Sequence, residues 1–109
     1  MTEGSFDMSE SSEAVFVNVI EVDPDRYEQL MEILKEGNDS VIRHFKGFIS
    51  CVLLVNADRS RVITVARWTT ADAIKALASD PVIAGYAKRT AALAKATPAV
   101  FSVAAEYRP

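Results

Sequence analysis

The sequence predicts an α+β fold, an antiparallel sheet in the ferredoxin-like β-α-β-β-α-β order with helices on one face. The first observation is a β-hairpin pattern over residues 47–68, where two runs rich in Val, Ile and Leu flank a polar turn at 56–60. The second is a repeated Asp-Pro helix-start signal, at Asp23-Pro24 before the hairpin and at Asp80-Pro81 after it. Helices are therefore expected on both sides of the hairpin.

The remaining elements follow from periodicity. Alternation predicts a first strand at residues 14–22, and an apolar stripe predicts a helix from Pro24 to about Lys46, interrupted at Gly37. The stripe comprises Tyr27, Leu30, Met31, Leu34, Val41, Ile42 and Phe45. After the hairpin, a short helix is expected over 70–79 and a second over 81–95, with Pro98 breaking it. The last strand is expected at 99–107.

Composition indicates an ordinary domain. The chain has 109 residues, half of them hydrophobic, and a net charge of −3. Residues 1–13 contain four acidic and no basic residues, which predicts a disordered tail before a single domain at 14–109. The rest is nearly neutral, so neither nucleic acid nor a membrane is an expected partner. One cysteine, Cys51, cannot form an internal disulfide, so a cytoplasmic protein is expected.

The strands are apolar on both faces. In the first strand, Val15, Val17 and Val19 alternate with other apolar side chains. In the second, simple alternation places Phe48, Val52 and Leu54 on one face and Ile49, Cys51, Leu53 and Val55 on the other. An antiparallel sheet with one wet face should instead alternate apolar with polar residues. Because helices cover one face only, the other is expected to be covered by a second subunit in a homodimer.

Two polar side chains stand out where no strong catalytic motif exists. Asn18 lies mid-strand among apolar residues, where its amide needs hydrogen-bond partners. Trp68 closes the third strand with an indole N–H. If both face the helices, they line one cavity with Thr64, Phe48 and Tyr86. The structural alternatives are an Asn18 amide bonded to nearby backbone and a Trp68 ring that belongs to the core.

Histidine-based chemistry is not expected within one chain. The single histidine, His44, excludes a metal cluster of several histidines. It lies near the end of the first predicted helix, where a cation is favoured. Cys51 is interpreted as a small buried hydrophobe.

Three segments resemble the antibiotic biosynthesis monooxygenase family, whose members form dimeric α+β barrels. They are Phe45-Lys46-Gly47-Phe48 ahead of a strand, Arg67-Trp68-Thr69-Thr70-Ala71-Asp72-Ala73 leading into a helix, and Ser79-Asp80-Pro81 further on. The resemblance covers residues 14–107. Members like this one oxygenate polyketide quinols and anthrones with O2, using no metal or flavin. Other members open haem or act as isomerases.

The resemblance carries over residue by residue. Trp68 matches the tryptophan that closes the third strand, and Asn18 matches the first-strand asparagine of the haem-degrading branch. That branch also uses a histidine on the second helix, where Tyr86-Ala87 stands here, so haem degradation is not expected. Thr64 and Ile74 replace an asparagine and a tyrosine of the anthrone-oxygenating branch, which implies a more apolar pocket.

The resemblance therefore implies a homodimeric, cofactor-independent monooxygenase that oxidises a hydroquinone, anthrone or polyketide intermediate with O2. Asn18 and Trp68 are the expected catalytic hydrogen-bond donors. Phe48, Thr64 and Tyr86 are expected to bind the substrate, and no cofactor or metal is expected. Two alternatives remain, a non-redox isomerase or cyclase of the same fold and a non-catalytic dimer that binds a small molecule.

Overall fold

Three helices pack on one face of a four-stranded antiparallel sheet in this computed structural model, which describes residues 13–109. The elements are β1 (Ala14–Val22), α1 (Tyr27–Ser40), β2 (Phe48–Val55), β3 (Arg61–Trp68), α2 (Ala71–Ala78), α3 (Pro81–Leu93) and β4 (Ala94–Ser102). The predicted order is confirmed, with the second helix in two pieces. In residues 13–109 no helix has the length and apolarity to cross a membrane.

The predicted tail falls almost entirely on residues 1–12, outside the described part of the chain. Glu13, its last member, is described. Its carboxylate accepts a hydrogen bond of 2.6 Å from Nε of Arg67.

The sheet order β2-β3-β1-β4 puts β1 and β3 at the centre. Ala14 lies opposite Trp68, and Asn18 lies between Thr64 on β3 and Pro98 on β4. Directly opposed residues share a face, so all these side chains belong to the helix-covered side. Two buried clusters form there, one around Trp68 and Ile74 and the other around Ile20, Leu30 and Val62.

The first helix is shorter than its apolar stripe predicts. Asp23 caps it, accepting a hydrogen bond of 3.0 Å from the Asp25 N–H, and the first turn is a 3-10 turn at Pro24–Arg26. Helix α1 ends at Ser40 because the next residue, Val41, has φ −130°, outside the helical region. Gly37 lies inside the helix and does not interrupt it.

The last strand begins earlier than predicted, and this corrects the assignment of 99–107. Helix α3 ends at Leu93 and β4 runs from Ala94 to Ser102, so Pro98 lies within the strand. Proline is tolerated there because β4 is an edge strand, where a missing N–H can face away from the ladder.

A bulge in β2 changes which face Phe48 occupies. Phe48 pairs with Trp68, whereas Ser50 pairs with Arg67, so Ile49 is an extra residue. Phe48 therefore lies on the helix-covered side with Cys51, not with Val52 as simple alternation predicts.

Candidate active site

A cavity of about 330 Å³ lies between the sheet and the three helices. Its floor includes Phe16, Ala66 and Trp68 from the sheet, and its roof includes Ile74 and Ile83 from α2 and α3. The volume is within the range of roughly 300–1,000 Å³ that is usual for small-molecule sites. Most of the lining is apolar, as such sites require.

Two buried amide oxygens in this lining have no hydrogen-bond partner. They are Oδ1 of Asn18, on β1, and Oδ1 of Asn38, on α1. Leaving a buried acceptor unpaired costs about 1–3 kcal/mol, and native proteins rarely do so without a reason. A ligand hydroxyl group is one kind of donor from which such an oxygen can accept.

Register fixes how the sheet residues are arranged along the cavity. Thr64 lies beside Asn18, while Trp68 lies opposite Ala14, four residues further along β1. Four residues of antiparallel strand span about 14 Å. Trp68 and Asn18 therefore stand at opposite ends of the floor, with Phe16 and Ala66 between them.

Trp68 is held firmly. Its side chain is only 1% exposed, and the rings of Phe45 and Phe48 meet it edge-on at centroid distances of 6.4 and 5.4 Å. Contacts of this kind fix the plane of the indole and with it the direction of its N–H.

Asn18, Thr64 and Trp68 all line the cavity, whereas Phe48 and Tyr86 do not. Phe48 instead packs against Trp68 and lines an adjoining surface groove.

Tyr86 lies between α3 and α1, outside the cavity. Its hydroxyl donates a hydrogen bond of 2.9 Å to Oε2 of Glu36, and its ring covers Gly37. The next residue, Ala87, lines the cavity. Successive helical residues point about 100° apart, so Tyr86 cannot share that direction.

Two polar residues of the lining were missed by the sequence reasoning, Asn38 and Thr90. Asn38 comes four residues after Leu34 and three before Val41, so it continues the apolar stripe of α1. Thr90 comes seven residues after Ile83 and three after Ala87. A polar residue on an apolar stripe is the signal that could have identified both.

The lining contains no charged side chain among the described residues. Its one titratable group is the Cys51 thiol, and burial raises the pKa of this thiol above its usual range. His44 lies elsewhere, with Nε2 donating a hydrogen bond of 3.0 Å to the Asp39 carbonyl oxygen near the end of α1. Such a cavity can exclude water and hold hydroxyl groups, but at neutral pH it offers no strong base.

Residues 13–109 contain no group of three or more His, Cys, Asp or Glu side chains placed to hold a metal ion.

Known proteins similar to this chain include monooxygenases and a cofactor-independent oxygenase. The sequence profile of the family described as "Antibiotic biosynthesis monooxygenase" matches residues 14–89. Tetracenomycin-F1 monooxygenase of Streptomyces glaucescens is 31% identical over 65 residues, which are 60% of this chain and 58% of that protein. The match thus spans little more than half of that relative.

Two solved structures share the fold over nearly their whole lengths. SnoaB, a cofactor-independent oxygenase from Streptomyces nogalater, superposes with a TM-score of 0.74 at 24% identity, covering 90% of this chain and 98% of that one. The monooxygenase from the gene ActVA-Orf6 of Streptomyces coelicolor, in complex with nanaomycin D, gives a TM-score of 0.79 at 21% identity, covering 98% and 99%.

Proposed function

Because the chain belongs to the antibiotic biosynthesis monooxygenase family, we propose that it is a cofactor-independent monooxygenase that oxidises an electron-rich aromatic ring with O2. The substrate is a hydroquinone, an anthrone or a related polyketide intermediate. The similarity to Tetracenomycin-F1 monooxygenase and to two oxygenase structures supports this substrate class.

The observation that carries the proposal is the pairing of an apolar cavity with two unpaired amide oxygens. The apolar lining suits a flat aromatic ring, and the oxygens of Asn18 and Asn38 suit ring hydroxyl groups. If both residues had only a structural role, their buried oxygens would destabilise the fold without forming any hydrogen bond.

The chemistry needs little from the protein. A deprotonated electron-rich ring is itself the reductant for O2. In an anthrone, the ring CH2 becomes C=O, one oxygen atom of O2 stays on that carbon, and the other leaves as water with both hydrogens. The cavity contributes by excluding water and by stabilising the phenolate through fixed hydrogen bonds.

Asn18 and Trp68 supply those hydrogen bonds at different oxygens. The Asn18 amide accepts from a ring hydroxyl through Oδ1, and after half a turn it donates to a phenolate through Nδ2. Trp68 donates its indole N–H at the other end of the cavity floor, about 14 Å away along the strand. Thr64, beside Asn18, shapes the same end. The described lining has no charged base, so the phenol proton passes to solvent water, and the acidity of the substrate sets how much phenolate forms.

The proposal includes a cytoplasmic homodimer. A free, half-buried thiol at Cys51 suits a reducing compartment. The sheet face away from the helices is apolar and suits a second subunit.

The test is oxygen uptake with a panel of hydroquinones and anthrones, measured beside a melting curve for each variant. Asn18→Ala and Trp68→Phe should each lower turnover by roughly a hundredfold, the usual loss for one preorganised donor. Asn18→Ala should keep or slightly raise the melting temperature because it removes an unpaired buried oxygen. Asn56→Ala is the matched control, since its Oδ1 accepts from the Arg61 N–H at 2.9 Å in the hairpin turn. It should lower stability and leave the rate of the folded protein unchanged.

Three outcomes would contradict the proposal. Turnover without oxygen would identify an isomerase or cyclase. Unfolding of Asn18→Ala, with full activity in the folded remainder, would make Asn18 structural. Wild-type rates in both cavity variants would remove these residues from the mechanism.

A further inference from the structure

The amide of Asn38 is fixed in one orientation. Its Nδ2 donates a hydrogen bond of 2.9 Å to the Leu34 carbonyl oxygen, one turn earlier in α1. Half a turn of the amide would set Oδ1 against that carbonyl, acceptor against acceptor. Oδ1 of Asn38 is therefore the atom of this lining residue that is left without a partner, and it can only accept.

Asn38 stands where the cavity meets the surface. It lines both the cavity and an adjoining open groove of about 310 Å³, whose other walls include Lys35, Arg43 and Phe48. A ligand that entered the cavity from this groove would pass the Asn38 side chain.

A fixed acceptor distinguishes the two oxidation states of a quinol. A ring hydroxyl can donate to Oδ1, whereas the carbonyl oxygen that replaces it after oxidation cannot. A carbonyl beside Oδ1 leaves two acceptors facing each other and unpaired, which is the strongest means by which a polar site rejects an analogue.

We propose that Asn38 is a specificity-determining residue that binds the reduced, hydroxylated ring and disfavours its oxidised, carbonyl form. The inference rests on the proposed function, since it assumes an aromatic quinol as the ligand. An anthrone meets this condition when it reacts as its enol, because the enol hydroxyl becomes a carbonyl of the quinone product while O2 supplies the second carbonyl oxygen. The same Oδ1 then favours binding of the substrate over binding of the product.

The test compares durohydroquinone with duroquinone, which have one carbon skeleton and differ only in hydroxyl against carbonyl oxygens. The four ring positions that do not carry oxygen each carry a methyl group, so the quinone has no unsubstituted position for addition by the Cys51 thiol. Binding is measured by calorimetry without oxygen, so turnover is not needed. Wild-type protein should prefer the hydroquinone by about tenfold or more, and Asn38→Ala should reduce that preference by about tenfold.

Cys51→Ala is the matched control because Cys51 lines the same cavity and the same groove. It changes packing without removing an oxygen acceptor. The affinities for durohydroquinone and duroquinone should therefore change by the same factor, and the ratio of the two affinities should stay the same. A merely structural role of Asn38 predicts the same behaviour for Asn38→Ala, with a lower melting temperature.

The possible results distinguish the role of Asn38 from the proposed monooxygenase activity. An unchanged preference in Asn38→Ala, no preference in the wild-type protein, or no binding of either compound would overturn the role of Asn38. Oxygen uptake with an unchanged preference would remove that role alone. A preference lost in Asn38→Ala, in a protein that consumes no oxygen, would keep the role and overturn the monooxygenase.

Discussion

Cys51 lines the cavity, and its reactivity can be used to measure how burial affects the thiol. It is the chain's one cysteine, and burial raises the pKa of its thiol. The folded state therefore holds the thiol proton more tightly than the unfolded state does. As pH rises past the usual thiol pKa of about 8.5, the unfolded state loses its proton first, so this group lowers the free energy of unfolding only above that pH.

The prediction is a displaced pH profile for alkylation of Cys51. The rate with iodoacetamide should rise at higher pH in the native protein than in the same protein unfolded in urea, because the thiolate is the reactive form. Comparing midpoints rather than rates removes the effect of restricted access. Equal midpoints would show that burial does not perturb the thiol.

The sequence predicted the residues that the sheet contributes to the candidate site better than those that the helices contribute. Asn18, Thr64 and Trp68 could be placed because strand residues two apart share a face. Asn38 and Tyr86 depend on the exact rotation of a helix, and one residue changes a direction by about 100°. Tyr86 has the larger side chain and was the predicted cavity residue, but its neighbour Ala87 lines the cavity.

At the scale of elements, the loop before β2 depends on Gly47. This residue has φ +94°, and its carbonyl oxygen accepts a hydrogen bond of 2.8 Å from the Thr69 N–H. A Cβ at this position would lie 2.6 Å from Cβ of Ala73, on α2. The glycine thus ties the start of β2 to the end of β3, next to Trp68.

Gly47→Ala is expected to lower the free energy of unfolding by about 2–5 kcal/mol, from backbone strain and overpacking together. Gly85→Ala is the matched control, because an added Cβ there meets nothing within 4 Å. In the middle of α3 it should raise stability by about 0.5–1 kcal/mol. Urea unfolding at one fixed protein concentration measures both. Similar changes in the two variants would contradict the account of Gly47.

Sequence signals located helix starts better than helix ends. Capping residues identify the starts: Asp80 accepts from the Val82 N–H at 2.8 Å, and Thr70 accepts from the Ala73 N–H at 3.1 Å. Two ends were missed because no glycine follows α1 or α3. The alanine-rich run 91–96 favours helix by propensity alone, and pairing with β1 makes its second half a strand.

For the whole molecule, the outer face of the sheet is the main unexplained surface. Val52 and Leu54 on β2 and Phe101 on β4 are each about half exposed in the single chain. They share this face with Val17 and Val65 from the central strands. Exposed apolar patches of this extent mark an interface more often than a free surface.

A homodimer formed through this face should dissociate when a charge is placed on it. Val52→Glu should convert a species of twice the monomer mass into the monomer in sedimentation at micromolar concentration, because an unpaired carboxylate is costly to bury. Val82→Glu is the matched control. Val82 is 54% exposed against 51% for Val52, but it lies on α3 in the helix layer, so this variant should remain a dimer. A wild-type protein that sediments as a monomer, or a Val52→Glu variant that stays dimeric, would mean that something other than a second copy covers the sheet.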